Sequence, residues 1–225
     1  GAVAVHGGTN LFVEDCWFDT NHAEPDGGAL FIPTEGANVS IAGTLFSNND
    51  SDSRGRAVDV NCGATGTFTF TNSTFFANGA LETVFVCGDE NVVFDHVTFS
   101  ANDGAIAHLD HEDANAGSVE LAGCAIEQPA PMCTSNGGTF SSNGDNVSKN
   151  GDATCGFNSG DHVADPALDA APADHGGPTV TISLGGASAA INSGSSACPA
   201  TDQRGFQRVD GVCDAGAFEV GATPP

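Results

Sequence analysis

The chain has 225 residues with 30 Gly, 15 Phe, one Trp and no Tyr, and 29 acidic against 5 basic residues give it a formal charge of −24. That balance sets nucleic acid and anionic membrane surfaces aside as partners, and no apolar run is long enough to insert this segment in a bilayer as a helix. Abundant glycine with few helix formers points instead to short strands and tight turns around one continuous core.

Taken from the start, the chain reads as a first strand, Gly1-Ala2-Val3-Ala4-Val5, then a second with apolar beats at Leu11 and Val13, then the phrase Phe18-x-x-Asn21. The same order returns. The phrase recurs at Phe46/Asn49, Phe75/Asn78 and Phe99/Asn102, and a degraded copy at Ile126 has Pro129 in the place of Asn. The apolar beats before it recur as Val39/Ile41, Phe68/Phe70, Val92/Phe94 and Val119/Leu121, with mixed residues between them. That is period-two alternation, the mark of a strand. The strand that opens each unit recurs at Gly28 to Ile32, Arg56 to Val60, Glu82 to Val86 and Gly104 to Ile106. A unit this small cannot bury its apolar side alone, so the units must stack as coils of a solenoid. The expected fold is all-β, a right-handed parallel β-helix of the pectate-lyase-like kind, with an irregular C-terminal cap. Stacking would place the Phe residues in one interior column about 4.8 Å apart. The Asn residues would share a corner, tolerating left-handed backbone and bonding from coil to coil.

Eight cysteines without a C-x-x-C pair point to disulfides in an oxidising, extracytoplasmic place. Cys62 and Cys87 follow equivalent strands of adjacent coils and should bridge. Cys198 and Cys213 enclose a short loop and make a second expected pair, and Cys133 with Cys155 a third. Cys16 and Cys124 hold the same coil position four coils apart, roughly 19 Å, too far to join. They are expected as buried free thiols, unless Cys124 takes Cys133. The open coil at Gly1 suggests a chain processed from a longer one, or a first coil covered by another molecule.

The coils are expected over residues 1–133, and a degenerate coil with loops over 134–162, where Gly138-Thr139-Phe140-Ser141-Ser142-Asn143 is a weak echo. Residues 163–220 carry a different text: Gly176-Gly177-Pro178-Thr179, Asp202-Gln203-Arg204-Gly205 and Cys213-Asp214-Ala215-Gly216-Ala217-Phe218-Glu219. Together these resemble the choice-of-anchor Q region, which closes parallel β-helices of bacterial surface proteins. His175, Ala189 and Asn192 stand where that region usually has Asn, Pro and Asp. The repeats, with Gly27-Gly28-Ala29-Leu30, are also similar to those of the polymorphic membrane protein adhesins of the autotransporter type. The resemblance implies an extracellular or bacterial cell-surface location and no single activity. Residues 221–225 read as the start of a linker.

Three chemistries compete for the outer face. A polysaccharide lyase or hydrolase would need clustered carboxylates and a base, and Asp52, Arg56 and Asp59 at one corner are the candidates, beside the commoner reading as a surface ion-pair cluster. For a metal, Ca²⁺ before a transition ion, the candidates are Asp50 and Asp52 in a partial calcium loop ending at Gly55, and His108, Asp110, His111 and Asp113 at a second corner. His108 also has a plain reading as an interior histidine. For recognition of a glycan or a surface protein, Phe31 and Phe85 on the outward column, with Trp17 and Phe76, are the candidates for stacking. The expectation is a non-catalytic stalk or passenger for adhesion. The alternatives are a subunit that self-associates end to end into a filament, and a polysaccharide-active enzyme.

Overall fold

The computed structural model describes all residues except 7, 9, 34, 35, 37, 63–65, 111–116, 195, 196 and 210, and the chain winds through it as a parallel β-solenoid. The first sheet stacks Val3–Ala4, Leu30–Ile32, Val58–Val60, Val84–Cys87, Ala107–Asp110 and Cys133–Ser135. The second stacks Leu11–Glu14, Val39–Ala42, Thr67–Thr71, Asn91–Asp95, Ser118–Ala122 and Thr139–Ser142. The third runs from Trp17–Asp19 through Leu45–Ser47, Thr74–Phe76, Thr98–Ser100, Ala125–Glu127 and Val147–Ser148 to His162–Val163. A short pair, His22–Ala23 with Asp50–Ser51, lies at the corner between the third sheet and the first. The weak echo at Thr139 is a true rung, with Phe140 opposite Val119.

Strand neighbours align residue for residue, as the repeats require. Phe18, Phe46, Phe75, Phe99 and Ile126 occupy one register position. The rings stack with centroids 5.0, 4.8 and 5.2 Å apart, and Phe70 and Phe94 meet them edge-on from the second sheet. Each such contact adds about 0.5–1.5 kcal/mol to the burial of the ring itself.

The Asn ladder bonds from coil to coil as expected, but the left-handed backbone expected of the Asn residues falls one residue earlier. Asn21, Asn49 and Asn78 each donate through Nδ2 to Oδ1 of the next Asn, at 2.9, 3.0 and 2.9 Å. The left-handed residues are those just before them: Thr20, Asn48, Ala77 and Ala101 have φ of 56, 54, 51 and 54°. The Asn side chain is there to bond, and its neighbour makes the turn. At the fifth coil Gln128 supplies the acceptor for Asn102 Nδ2, so the ladder continues past Pro129 through a longer side chain placed one residue earlier.

The irregular C-terminal region, expected as a cap, lies along the flank of the solenoid. It covers the outer face of the third sheet and its corner with the second. Thr179 Oγ1 donates to the Gly43 carbonyl at 3.2 Å, Thr74 Oγ1 to Gln203 Oε1 at 2.5 Å, and the Ala217 amide to Thr98 Oγ1 at 2.9 Å. Leu184, Ala190, Ala215 and Phe218 pack on Ala125 and Val147 of that sheet. An ion-pair knot closes the strap: Arg204 bonds Asp202 at 2.6 Å, and Arg208 bonds Glu219 at 2.7 Å. The Arg204 guanidinium lies 3.8 Å over Phe218 and 4.6 Å over Phe206. Two of the three phrases of the C-terminal text, Asp202 to Gly205 and Cys213 to Glu219, therefore grip each other.

Three disulfides staple the fold, Cys62–Cys87, Cys133–Cys155 and Cys198–Cys213. Cys124 is buried as expected, whereas Cys16 is exposed. It sits just before the third sheet, its carbonyl accepting from the Leu45 amide at 2.9 Å and its amide donating to Thr44 Oγ1 at 3.4 Å.

Candidate functional site

Along the outer face of the first sheet, register fixes one ladder: Ala4, Phe31, Asp59, Phe85, His108 and Thr134. Period-two alternation points these side chains outward while Leu30, Ile32, Val58, Val60, Val84 and Val86 fill the core. The corner turn that precedes Val58 folds over the ladder. Arg54 places its guanidinium 4.6 Å over the Phe85 ring. Its Nε is 3.8 Å from Asp59 and its Nη2 3.5 Å from Asp26. The ring of His108 stacks on the far side of Phe85 with centroids 5.6 Å apart, and its Nδ1 lies 2.7 Å from Thr134 Oγ1.

This cover changes what the ladder presents. Phe85, expected on the surface, is only 3 % exposed because Arg54 and His108 sandwich it. Asp59 is fully buried and accepts no hydrogen bond. Burial is the largest cause that pushes its carboxyl up to about 7, against the pull of Arg54. Phe31, Arg54, His108 and Thr134 remain half-buried and form the accessible strip. A cavity of about 200 Å³ beside Phe31 is walled by Val3, Ala4, Glu24, Pro25 and Asp26.

The corner candidates part company. Asp52 pairs with His22 at 3.3 Å, Arg56 with Asp50 at 3.1 Å, and Asp59 with Arg54. Asp52, Arg56 and Asp59 thus engage three separate partners. The partial calcium loop is organised in the same way: Asp50 and Asp52 face Arg56 and His22, and the Gly55 amide donates to Glu82 at 2.9 Å. His22, Glu24 and Asp52 do bring one ligand atom each within 4.8 Å of one another, all three exposed. At the second corner Asp110 accepts from Asn136 Nδ2 at 3.3 Å, while His111 and Asp113 lie outside the described residues.

Of the remaining aromatics, Trp17 is 55 % exposed on the third sheet, its Nε1 donating to Ser47 Oγ at 2.7 Å. The residues after it in register, Leu45, Thr74, Thr98, Ala125 and Val147, are buried. Phe76 is half-buried. Phe12, which the sequence reading passed over as a mixed position, is 73 % exposed on the second sheet.

One group carried no sequence signal. Glu90, at the turn after Cys87, is fully buried with neither carboxylate oxygen bonded, and burial pushes it up to about 8. Arg54 was visible as a cation, but its reach over Phe85 and Asp59 depends on how the corner folds. All five basic residues of the chain stand against carboxylates: Arg54, Arg56, Lys149, Arg204 and Arg208.

Comparison with protein-family models, with curated proteins and with solved structures gives no match. The fold itself defines the class: a disulfide-stapled parallel β-solenoid. No helix among the described residues is long and apolar enough to cross a membrane.

Proposed function

We propose that this chain is a non-catalytic extracellular surface protein, a stalk or passenger whose first sheet recognises a glycan. The location rests on the three disulfides and on the likeness of residues 163–220 to the choice-of-anchor Q region of bacterial surface proteins. The observation that carries the recognition reading is the strip of Phe31, Arg54, His108 and Thr134 around the buried Asp59–Phe85 pair. It sets the half-buried Phe31 ring beside the hydrogen-bonding groups of Arg54, His108 and Thr134, which suits the C–H face and hydroxyl rim of a sugar ring. The separation of Asp52, Arg56 and Asp59 into three different ion pairs favours binding over hydrolysis.

The test is a glycan panel read with the wild-type chain, Phe31→Ala and His108→Ala. A ligand whose binding drops tenfold or more with both variants supports the strip as the site. Unchanged binding in both variants sinks it, and release of new reducing ends from any panel member would replace binding with catalysis.

A further inference from the structure

On the opposite flank, a second cluster joins a rigid corner of the solenoid to the C-terminal strap. His96 follows the strand Asn91–Asp95 at the turn between the second and third sheets, with φ of 52° and only 1 % exposure. Its Nδ1 lies 2.7 Å from Asp95 Oδ1, and its Nε2 lies 3.0 Å from Cys213 Sγ. Cys213 is buried and joined to the half-buried Cys198.

The pocket for the imidazole is made by what is missing beside it. Gly123, with φ of 57°, occupies the equivalent turn of the next coil, and a Cβ there would come within 2.8 Å of His96 Cε1 and Nε2. Gly194 plays the same part for the sulfur, since its Cβ would lie 2.9 Å from Cys213 Sγ. The strap is bonded to this corner by the Gly216 amide, which donates to the Gly123 carbonyl at 2.7 Å, and within the strap the Gly194 amide donates to the Cys213 carbonyl at 2.7 Å. Imidazole and sulfur are thus flanked by the backbone of Gly123 and Gly194.

An Asp95 carboxylate at Nδ1 draws the ring proton to that nitrogen and leaves the Nε2 lone pair facing sulfur. Metal-binding histidines are prepared by the same pairing. One ligand atom each from His96, Cys198 and Cys213 lies within 4.8 Å of the other two. We infer that reduction of the Cys198–Cys213 disulfide turns this corner into a three-ligand N,S,S site for a divalent metal of the zinc class. The bookkeeping is simple. Two molecules of a small thiol deliver two electrons and two protons to the disulfide and leave as their own disulfide. The metal then displaces both thiol protons, and His96 Nε2 completes the triad without losing one.

The two sulfurs must part to roughly 3.7 Å to sit on a tetrahedral zinc ion, and Cys198, the less buried of the pair, is the one placed to move. The fourth position has room. A cavity of about 300 Å³ lined by Asp95, His96, Glu120, Asn143 and Ala197 opens beside the imidazole, so water or an exogenous donor can occupy it. Softness selects the ion: two thiolates and an imidazole suit Zn²⁺ and Co²⁺, and the oxygen-loving Ca²⁺ poorly. While closed, the same disulfide holds the strap on the solenoid. Redox state therefore chooses between a covalent staple and a metal staple at one place.

The full chain is treated with a water-soluble phosphine, which binds these metals weakly, and the open cysteines are mapped by alkylation and mass spectrometry. Co²⁺ is then added and absorption followed. The expected result is one Co²⁺ per chain with thiolate-to-cobalt charge-transfer bands, displaced by Zn²⁺ and absent before reduction. Asp95→Asn, which only positions the ring, should keep the bands and weaken binding roughly 10–100-fold. His96→Gln should weaken binding further, with far-UV circular dichroism confirming that each variant is folded. The inference is overturned if the mapped Cys198 and Cys213 thiols give no charge-transfer band, if His96→Gln binds as tightly as wild type, or if the pair stays closed under excess phosphine.

Discussion

Replacing Asn78 by Ala tests whether the coil-to-coil amide ladder holds the solenoid together. Its side chain makes four buried hydrogen bonds. Oδ1 accepts from the Asn49 amide and Asn49 Nδ2, both at 3.0 Å, while Nδ2 donates to the Phe46 carbonyl at 3.1 Å and Asn102 Oδ1 at 2.9 Å. At a net ~0.5–1.5 kcal/mol per bond the loss is about 2–6 kcal/mol, and stranding the buried Asn49 amide and Phe46 carbonyl argues for the upper half. Asn21, at the first coil, donates only one side-chain bond, at 2.9 Å, and is half-buried, so Asn21→Ala should cost about 1 kcal/mol. Urea unfolding followed by far-UV circular dichroism gives both numbers, provided the slopes match. A solenoid shares stability between neighbouring coils, so a loss at the middle rung should also speed amide exchange in the coils beginning at Leu30 and Val84. Equal costs for the two variants, or less than about 1 kcal/mol for Asn78→Ala, would refute the ladder as a source of stability.

Other consequences are open to direct measurement. Ala77 turns the chain with φ of 51°, so Ala77→Gly should raise stability by about 0.5–1 kcal/mol on thermal or urea melting, against the usual sign for glycine. Asp59 prefers its proton in the folded state, being raised from 3.8 to about 7. The stability this contributes is full below the unfolded value and is lost as pH rises through about 7. Asp59→Asn should therefore match wild type near pH 4 and exceed it near pH 8, by up to about 4 kcal/mol for a gap of roughly three pH units; no gain at high pH would contradict the buried, unbonded carboxylate. The two free thiols should separate cleanly under iodoacetamide. Exposed Cys16 is modified in the native protein, and Cys124, buried and pushed up to about 12, only after unfolding; early modification of Cys124 would count against its place in the core.

Much of the architecture was legible because a solenoid repeats its instructions. The spacing of Phe18, Phe46, Phe75 and Phe99, and the apolar pairs ahead of them, determined strands, register and interior column. In a parallel stack, equivalent residues can only lie over one another. The same logic determined the Cys62–Cys87 bridge, whose partners follow adjacent rungs. Loop length alone was enough for Cys198–Cys213.

What sequence could not determine lies wherever a side chain meets something outside its own coil. Arg54 covering Phe85 and Asp59 depends on the path of one corner, and that path decides whether an outward aromatic is a contact surface or a covered one. Gln128 replacing Asn in the ladder depends on side-chain reach, which a positional pattern does not encode. The strap along the third sheet, and with it the meeting of His96 and Cys213 across 117 residues, follows from long-range packing of irregular backbone. Periodicity is blind there, because no repeat records which flank an aperiodic segment will bury, and only the three-dimensional fit of strap to sheet decides it.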